Sequence, residues 1–208
     1  TEAGSALLAG RVPAKDAEVL ANATAPGLVC LGKTHMSELA FSGLGLNPVT
    51  ATPACINDAA AVAGGSSSGA AASIACDLAA GAIGSDTGGS VRIPAAWNDL
   101  VGLKTTAGRV SVQGVVPLCA TFDTVGPLSK TVEDAALLLA ALEGRTPADL
   151  TASSLRGKRL GVLQTVAFDE LREAPALGFE TALAKVIKAG AMVEDIEIEA
   201  VSKAMPLS

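Results

Sequence analysis

Serine and glycine are the residues of this chain whose arrangement could do chemistry. They gather in two stretches, Gly64-Gly65-Ser66-Ser67-Ser68-Gly69 and Gly84-Ser85-Asp86-Thr87-Gly88-Gly89-Ser90-Val91-Arg92-Ile93-Pro94. Gly88 and Gly89 carry no side chains, so successive backbone N–H groups there can turn toward one point. Ser90 follows at once. A hydroxyl beside convergent N–H donors is what acyl transfer requires, a nucleophile next to a cradle for the oxyanion of the tetrahedral intermediate. The same composition also suits two tight loops with no chemistry, because Gly/Ser loops are common.

Such loops need elements to hold them. Asp16 is placed to cap a short helix running to about Asn22. The apolar run Gly27 to Leu31 reads as a buried strand, residues 32–48 as a turn-rich stretch with one helical turn near Met36–Leu39, and residues 50–63 as an irregular loop. Between the two serine stretches, Ala70, Ile74 and Leu78 share a face of a small-residue helix over Ala70 to Ala80, followed by a short strand over Gly81 to Gly84. Pro94 suits the start of a short helix, and Leu100 to Leu103 reads as a strand. Thr131-Val-Glu-Asp134 is a capping-box pattern opening a helix to about Leu142. A polar connection over 144–154 leads to a strand at Arg159 to Gln164, a helix ended by Gly190, and a strand at Met192 to Ile198. Strands alternating with helices predict an α/β layered fold.

Composition narrows the function classes. The 208 residues are half apolar but only 2% aromatic, with a formal net charge of −6. Nucleic-acid binding needs a clustered basic patch, and the nearest candidate, Arg156, Lys158 and Arg159, reads as an ordinary solvated loop. No apolar run is long enough for a membrane span, and the first residues lack the pattern of a signal peptide. Four cysteines, Cys30, Cys55, Cys76 and Cys119, form no C-x-x-C pair. They are expected to be buried free thiols in a reducing cytoplasm, and no metal or cofactor is expected. His35 is the single histidine.

The ordered pair of motifs resembles the amidase-signature family, whose hallmark is GGSS[SG]G, a small-residue helix, and G-x-D-x-GGS-[IV]-R-x-P. The match runs from Gly64 to Pro94. It continues through Val101-Gly102-Leu103-Lys104-Thr105 and Phe122-Asp123-Thr124-Val125-Gly126-Pro127-Leu128, and upstream through Leu31-Gly32-Lys33-Thr34 and Met36-Ser37-Glu38-Leu39-Ala40. The resemblance implies one amidase-signature domain over 1–208, a fragment with its signature core at about 64–142. The implied fold is α/β, with a mixed central β-sheet covered by helices on both faces. It implies an amidase that hydrolyses a carboxamide C–N bond through a serine acyl-enzyme, releasing ammonia or an amine. A Ser–cis-Ser–Lys triad does the work in this family. By motif position Ser90 is the nucleophile and Ser66 the bridging serine, held through a cis Gly65–Ser66 peptide. The N–H groups of Thr87, Gly88, Gly89 and Ser90 form the oxyanion hole, and Asp86 and Arg92 brace the loop. The expected partners are a small-molecule amide and, for assembly, a second copy of the chain.

The family's lysine lies upstream of the first serine motif in a V-K-[DE]-like context, and no such segment occurs here. Counted back from Ser66 it falls before Thr1, so truncation at both ends is expected, with poor turnover by the chain alone. Lys33, Lys15 and Lys104 occupy other family positions. His35 lies where the family tolerates Asn and is expected to be an ordinary polar residue. A non-catalytic subunit is one alternative, since family members also serve amidotransferases. Ala95-Ala96-Trp97-Asn98-Asp99 departs from the commoner small-aromatic-Cys pattern and favours a stand-alone branch. An alternative of another class is a P-loop nucleotide binder, from Gly27-Leu-Val-Cys-Leu-Gly32-Lys33-Thr34. Its context is wrong, because the residues between the glycines are β-prone and no long helix begins after Thr34.

Overall fold

Residues 1–204 are described by a computed structural model. Its elements in chain order are α1 (Glu18–Thr24), β1 (Ala54–Cys55), β2 (Asp58–Val62), α2 (Ser68–Ala75), β3 (Ala82–Asp86), α3 (Arg92–Trp97), β4 (Val101–Gly102), β5 (Thr124–Ser129), α4 (Val132–Glu143), β6 (Arg159–Leu163), α5 (Glu173–Lys188), β7 (Met192–Ile196) and α6 (Glu199–Ala204). The α/β class matches the expectation. The chain divides into two compact units, Thr1–Asp149 and the residues from Leu150 on.

The first unit is built on an antiparallel sheet in the order β3-β5-β4, with Ala82 opposite Leu128, Asp86 opposite Thr124 and Val101 opposite Ser129. β5 is the middle strand and is buried along its whole length. Gly126 is obligatory in it, since a Cβ there would stand 2.0 Å from the Leu103 carbonyl oxygen. On the sheet pack α2 and α3, whose Ala70, Ala71 and Ala95 form a core with Leu128 and with Val91, the residue before α3. Small side chains allow the close approach. A second core joins α1 to α4 through Val19, Ala23, Val110, Val125 and Leu142.

The N-cap predicted at Thr131 forms. Its Oγ1 accepts from the Asp134 N–H at 3.0 Å, satisfying an otherwise orphaned donor of the first turn. Gly144, at φ 64°, closes the helix in the left-handed conformation.

In the second unit β6 and β7 are parallel, pairing Arg159 with Met192 through Leu163 with Ile196, with α5 between them in sequence. Phe168 and Phe179 meet edge to face, ring centroids 5.3 Å apart. The chain therefore holds antiparallel and parallel strands, but in separate sheets.

Several local expectations are corrected. Residues 27–31 form no strand and are exposed, Val29 by 80% and Leu31 by 75%. No described strand lies alongside to take their hydrogen bonds, so the apolar run is left unburied. Residues 50–63 contain the β1–β2 hairpin instead of an irregular loop. The helix over the first serine stretch stops at Ala75, short of Ala80. Asp77 takes φ 59°, and the N–H groups of Asp77 and Leu78 turn back to the carbonyls of Ile74 and Ser73. This Schellman closure throws Leu78 off the buried face. Ala17, not Asp16, precedes α1, and it makes no side-chain cap. All four cysteines are free, yet Cys30 and Cys76 are exposed and Cys55 and Cys119 half-buried, because none sits on a core-facing position.

Candidate active site

The two serine stretches meet at the end of β3. Gly64 to Ser67 lead into α2, and Thr87 to Val91 connect β3 to α3. Their backbones are joined directly, since the Ser67 N–H donates to the Ser90 carbonyl at 3.2 Å. The first stretch is also pinned on its other side. Gly65 N–H donates to the Gly43 carbonyl at 2.8 Å, Ser37 N–H to the Ser66 carbonyl at 3.0 Å, and Gly69 N–H to the His35 carbonyl at 2.9 Å. Gly65 has no room for a side chain: a Cβ would stand 2.5 Å from the Gly45 nitrogen and 2.7 Å from Ser37 Oγ. The Gly65–Ser66 peptide is cis.

Ser66 is fully buried, and its Oγ is the one buried side-chain N or O atom among the described residues without a hydrogen-bond partner. The Ser66 hydroxyl accordingly makes no hydrogen bond to the Ser90 hydroxyl. Ser90 keeps 8% exposure. An unpaired buried hydroxyl is costly and calls for an explanation in function.

Asp86, wholly buried at the end of β3, organises the second loop. Its carboxylate accepts from the N–H groups of Gly89 (2.8 Å), Val91 (3.1 Å) and Arg92 (3.3 Å), and from Arg92 Nε at 3.0 Å. Burial alone would raise its pKa. The Arg92 hydrogen bond, the Val91 N–H, the Arg92 charge and the Gly89 N–H together outweigh that and hold it at about 2. Asp86 is thus an ionised brace, with Arg92 as its partner.

Of the four N–H groups expected to converge, that of Gly89 is taken by Asp86. Those of Thr87, Gly88 and Ser90 have no acceptor among the hydrogen bonds of the described residues.

Two further residues, Asp123 and Lys104, reach the loop without any signal in their spacing. Asp123 accepts from Thr87 Oγ1 and from the N–H groups of Leu118 (2.9 Å) and Cys119 (3.0 Å). Desolvation works to raise its pKa, but these bonds and the Lys104 charge lower it overall. Lys104 Nζ donates to the Asp86 carbonyl at 2.6 Å and to Thr124 Oγ1 at 3.2 Å. Both belong to stretches that the resemblance covers, which is the one sequence signal that could have pointed to them.

The other candidate bases lie elsewhere. Lys33 Nζ donates to Thr1 Oγ1 at 3.2 Å, and His35 is exposed. After Gly32-Lys33-Thr34 comes only a single 3-10 turn, Glu38–Ala40, so the helix that a P-loop needs is missing. Among the described residues no helix is long and apolar enough to cross a membrane. Next to Ser37, whose N–H holds Ser66, lies a cleft of about 560 Å³ lined by Leu39, Phe41, Leu46, Pro117 and Leu118 among others.

Comparison with known proteins finds similarity along the whole chain. Residues 1–208 match the family described as Amidase. The chain is 35% identical to the A subunit of glutamyl-tRNA(Gln) amidotransferase of Cereibacter sphaeroides, over 99% of this chain and 45% of that protein. It superposes on the crystal structure of the corresponding amidotransferase polypeptide from Thermotoga maritima with a TM-score of 0.88 at 30% identity, covering 96% of this chain and 47% of that one. It superposes on native peptide amidase from Stenotrophomonas maltophilia with a TM-score of 0.84 at 38% identity, covering 95% and 44%. The chain thus spans less than half the length of each of these relatives.

Proposed function

The chain belongs to the amidase family, and from that membership we propose that it cleaves a carboxamide C–N bond through an acyl-enzyme on Ser90. The observation that carries the reading is a buried Ser66 hydroxyl without a partner, in a stretch whose next residue, Ser67, is bonded through its N–H to the Ser90 carbonyl. Ser90 Oγ attacks the carbonyl carbon while its proton passes to Ser66 and on to a base. The oxyanion that forms is held by the N–H groups of Thr87, Gly88 and Ser90. The C–N bond then breaks, the amine leaves with a proton, and water releases the acid. Metal and cofactor have no part in this scheme. A cytoplasmic location goes with it, supported by four free thiols.

No lysine or histidine among the described residues donates to or accepts from Ser66 Oγ. A weak nucleophile without a base is slow on amides, since general-base help is typically worth about 10²–10⁴-fold. An activated ester makes less demand on the base and is the appropriate first probe. Mixing the chain with a p-nitrophenyl ester should release one equivalent of nitrophenol and add one acyl group to the peptide holding Ser90. Ser90→Ala should show neither, and an equal burst in that variant would mean another nucleophile. A second reading, as one subunit of an amidotransferase, is favoured by the names of the sequence relatives. Hydrolysis of free amides by this chain without added protein would speak against it.

A further inference from the structure

Lys104 stands where the loop's backbone carbonyls face. Its ammonium donates to the carbonyl oxygens of Asp86 (2.6 Å), Thr87 (3.4 Å) and Phe122 (3.4 Å) and to Thr124 Oγ1 (3.2 Å), and lies 3.3 Å from Asp86 Oδ1. The first two carbonyls belong to the peptide groups whose N–H ends are those of Thr87 and Gly88. Gly65–Ser66 is the only cis bond among the described residues, so both groups are trans. In a trans peptide the C=O and N–H point in opposite directions. A cation on the two carbonyls therefore aims the two N–H groups away from itself. It also draws electron density along each amide, making the hydrogens more positive. These are two of the three loop N–H groups left without an acceptor. Two carboxylates stand near the ammonium. Asp86 is shared between Lys104 and Arg92, and Asp123 is turned to Thr87 Oγ1 and to the N–H groups of Leu118 and Cys119.

We propose that Lys104 is a positioning residue that charges the Thr87 and Gly88 N–H donors from behind, through their own peptide groups. As the donors of an oxyanion hole they rest on the acyl-enzyme reading above. Their polarisation does not, and the experiment separates the two.

Amide hydrogen exchange of the whole chain, followed by NMR, reads the polarisation directly. Base-catalysed exchange speeds up as an N–H becomes more acidic, tenfold for each pKa unit. Lys104→Met should slow exchange at Gly88 by about tenfold, with Gly89, held by Asp86, as internal reference. Lys104→Arg should keep the faster rate. Simple loosening of the loop would accelerate exchange, so unchanged or faster exchange at Gly88 in Lys104→Met overturns the proposal. If that variant does not fold, the wild type decides. Its Gly88 should exchange faster than the same residues in an unstructured peptide, and a slower rate overturns the proposal as well. The second arm is the affinity for phenylboronic acid, whose serine adduct places an oxygen in the hole. It should weaken about ten- to a hundredfold in folded Lys104→Met. Binding that survives Ser90→Ala in full refutes the serine reading and leaves the exchange result to judge Lys104. Binding lost in Ser90→Ala but intact in Lys104→Met, with exchange unaltered, refutes the role of Lys104 alone.

Discussion

Asp86 shows how one buried carboxylate can fix a loop. It accepts three backbone N–H bonds and the Arg92 guanidinium while fully out of water. Its pKa falls from 3.8 to about 2 on folding. A lowered carboxylate pKa adds stability that is complete above the unfolded value and vanishes as pH drops through the folded one. The contribution is about 2 kcal/mol. Thermal melts between pH 6 and pH 2 should therefore show a loss of stability setting in below about pH 4. Asp86→Asn should be less stable at neutral pH and should lack that part of the acid slope, and an unchanged slope would rule Asp86 out as its source. At this scale the sequence is most readable. The roles proposed for Ser66, Ser90, Asp86 and Arg92 follow from residue type and motif. The commitment of the Gly89 N–H to Asp86 is not visible there, nor is the reach of Lys104 across 18 residues of sequence to the Asp86 carbonyl. Such contacts depend on how β3 and β5 bring the segments together.

Elements are legible where local signals act alone. The Thr131 N-cap, the helix it opens and the β6-α5-β7 alternation all form. β5 does not read as a strand, because Gly126 and Pro127 argue against one. It is central nonetheless, since Gly126 gives the Leu103 carbonyl room. The hairpin strand Asp58–Val62 escapes notice because its alanine run does not alternate. The run at 27–31 fails in the other direction, as hydrophobicity marks a segment able to be buried but cannot supply a neighbour. For α4 the local signal can be tested. Thr131→Ala removes the acceptor for the Asp134 N–H and should cost about 1 kcal/mol. The midpoint of urea unfolding should fall at constant slope, and an unshifted midpoint would make the cap dispensable.

The whole molecule divides after the residues that matter. Ser66, Asp86, Ser90, Lys104 and Asp123 all belong to the unit Thr1–Asp149. The polar stretch from Gly144 to Lys158 is almost entirely exposed. Limited trypsin digestion should cut there first, at Arg145, Arg156 or Lys158. Mass spectrometry of the early fragments checks this, and first cuts at Arg92 or Lys104, inside the unit Thr1–Asp149, would contradict the division. The exposed run at Leu28, Val29 and Leu31 has a consequence for the molecule in bulk. Copies that meet there gain by hiding apolar surface, and what keeps them apart is the shared formal charge of −6. Added salt shortens the range of that repulsion, to about 8 Å at physiological ionic strength, and leaves the apolar attraction in place. Colloidal stability should thus decline as ionic strength rises, which makes dilute buffer well above the isoelectric point the medium in which this protein stays dispersed.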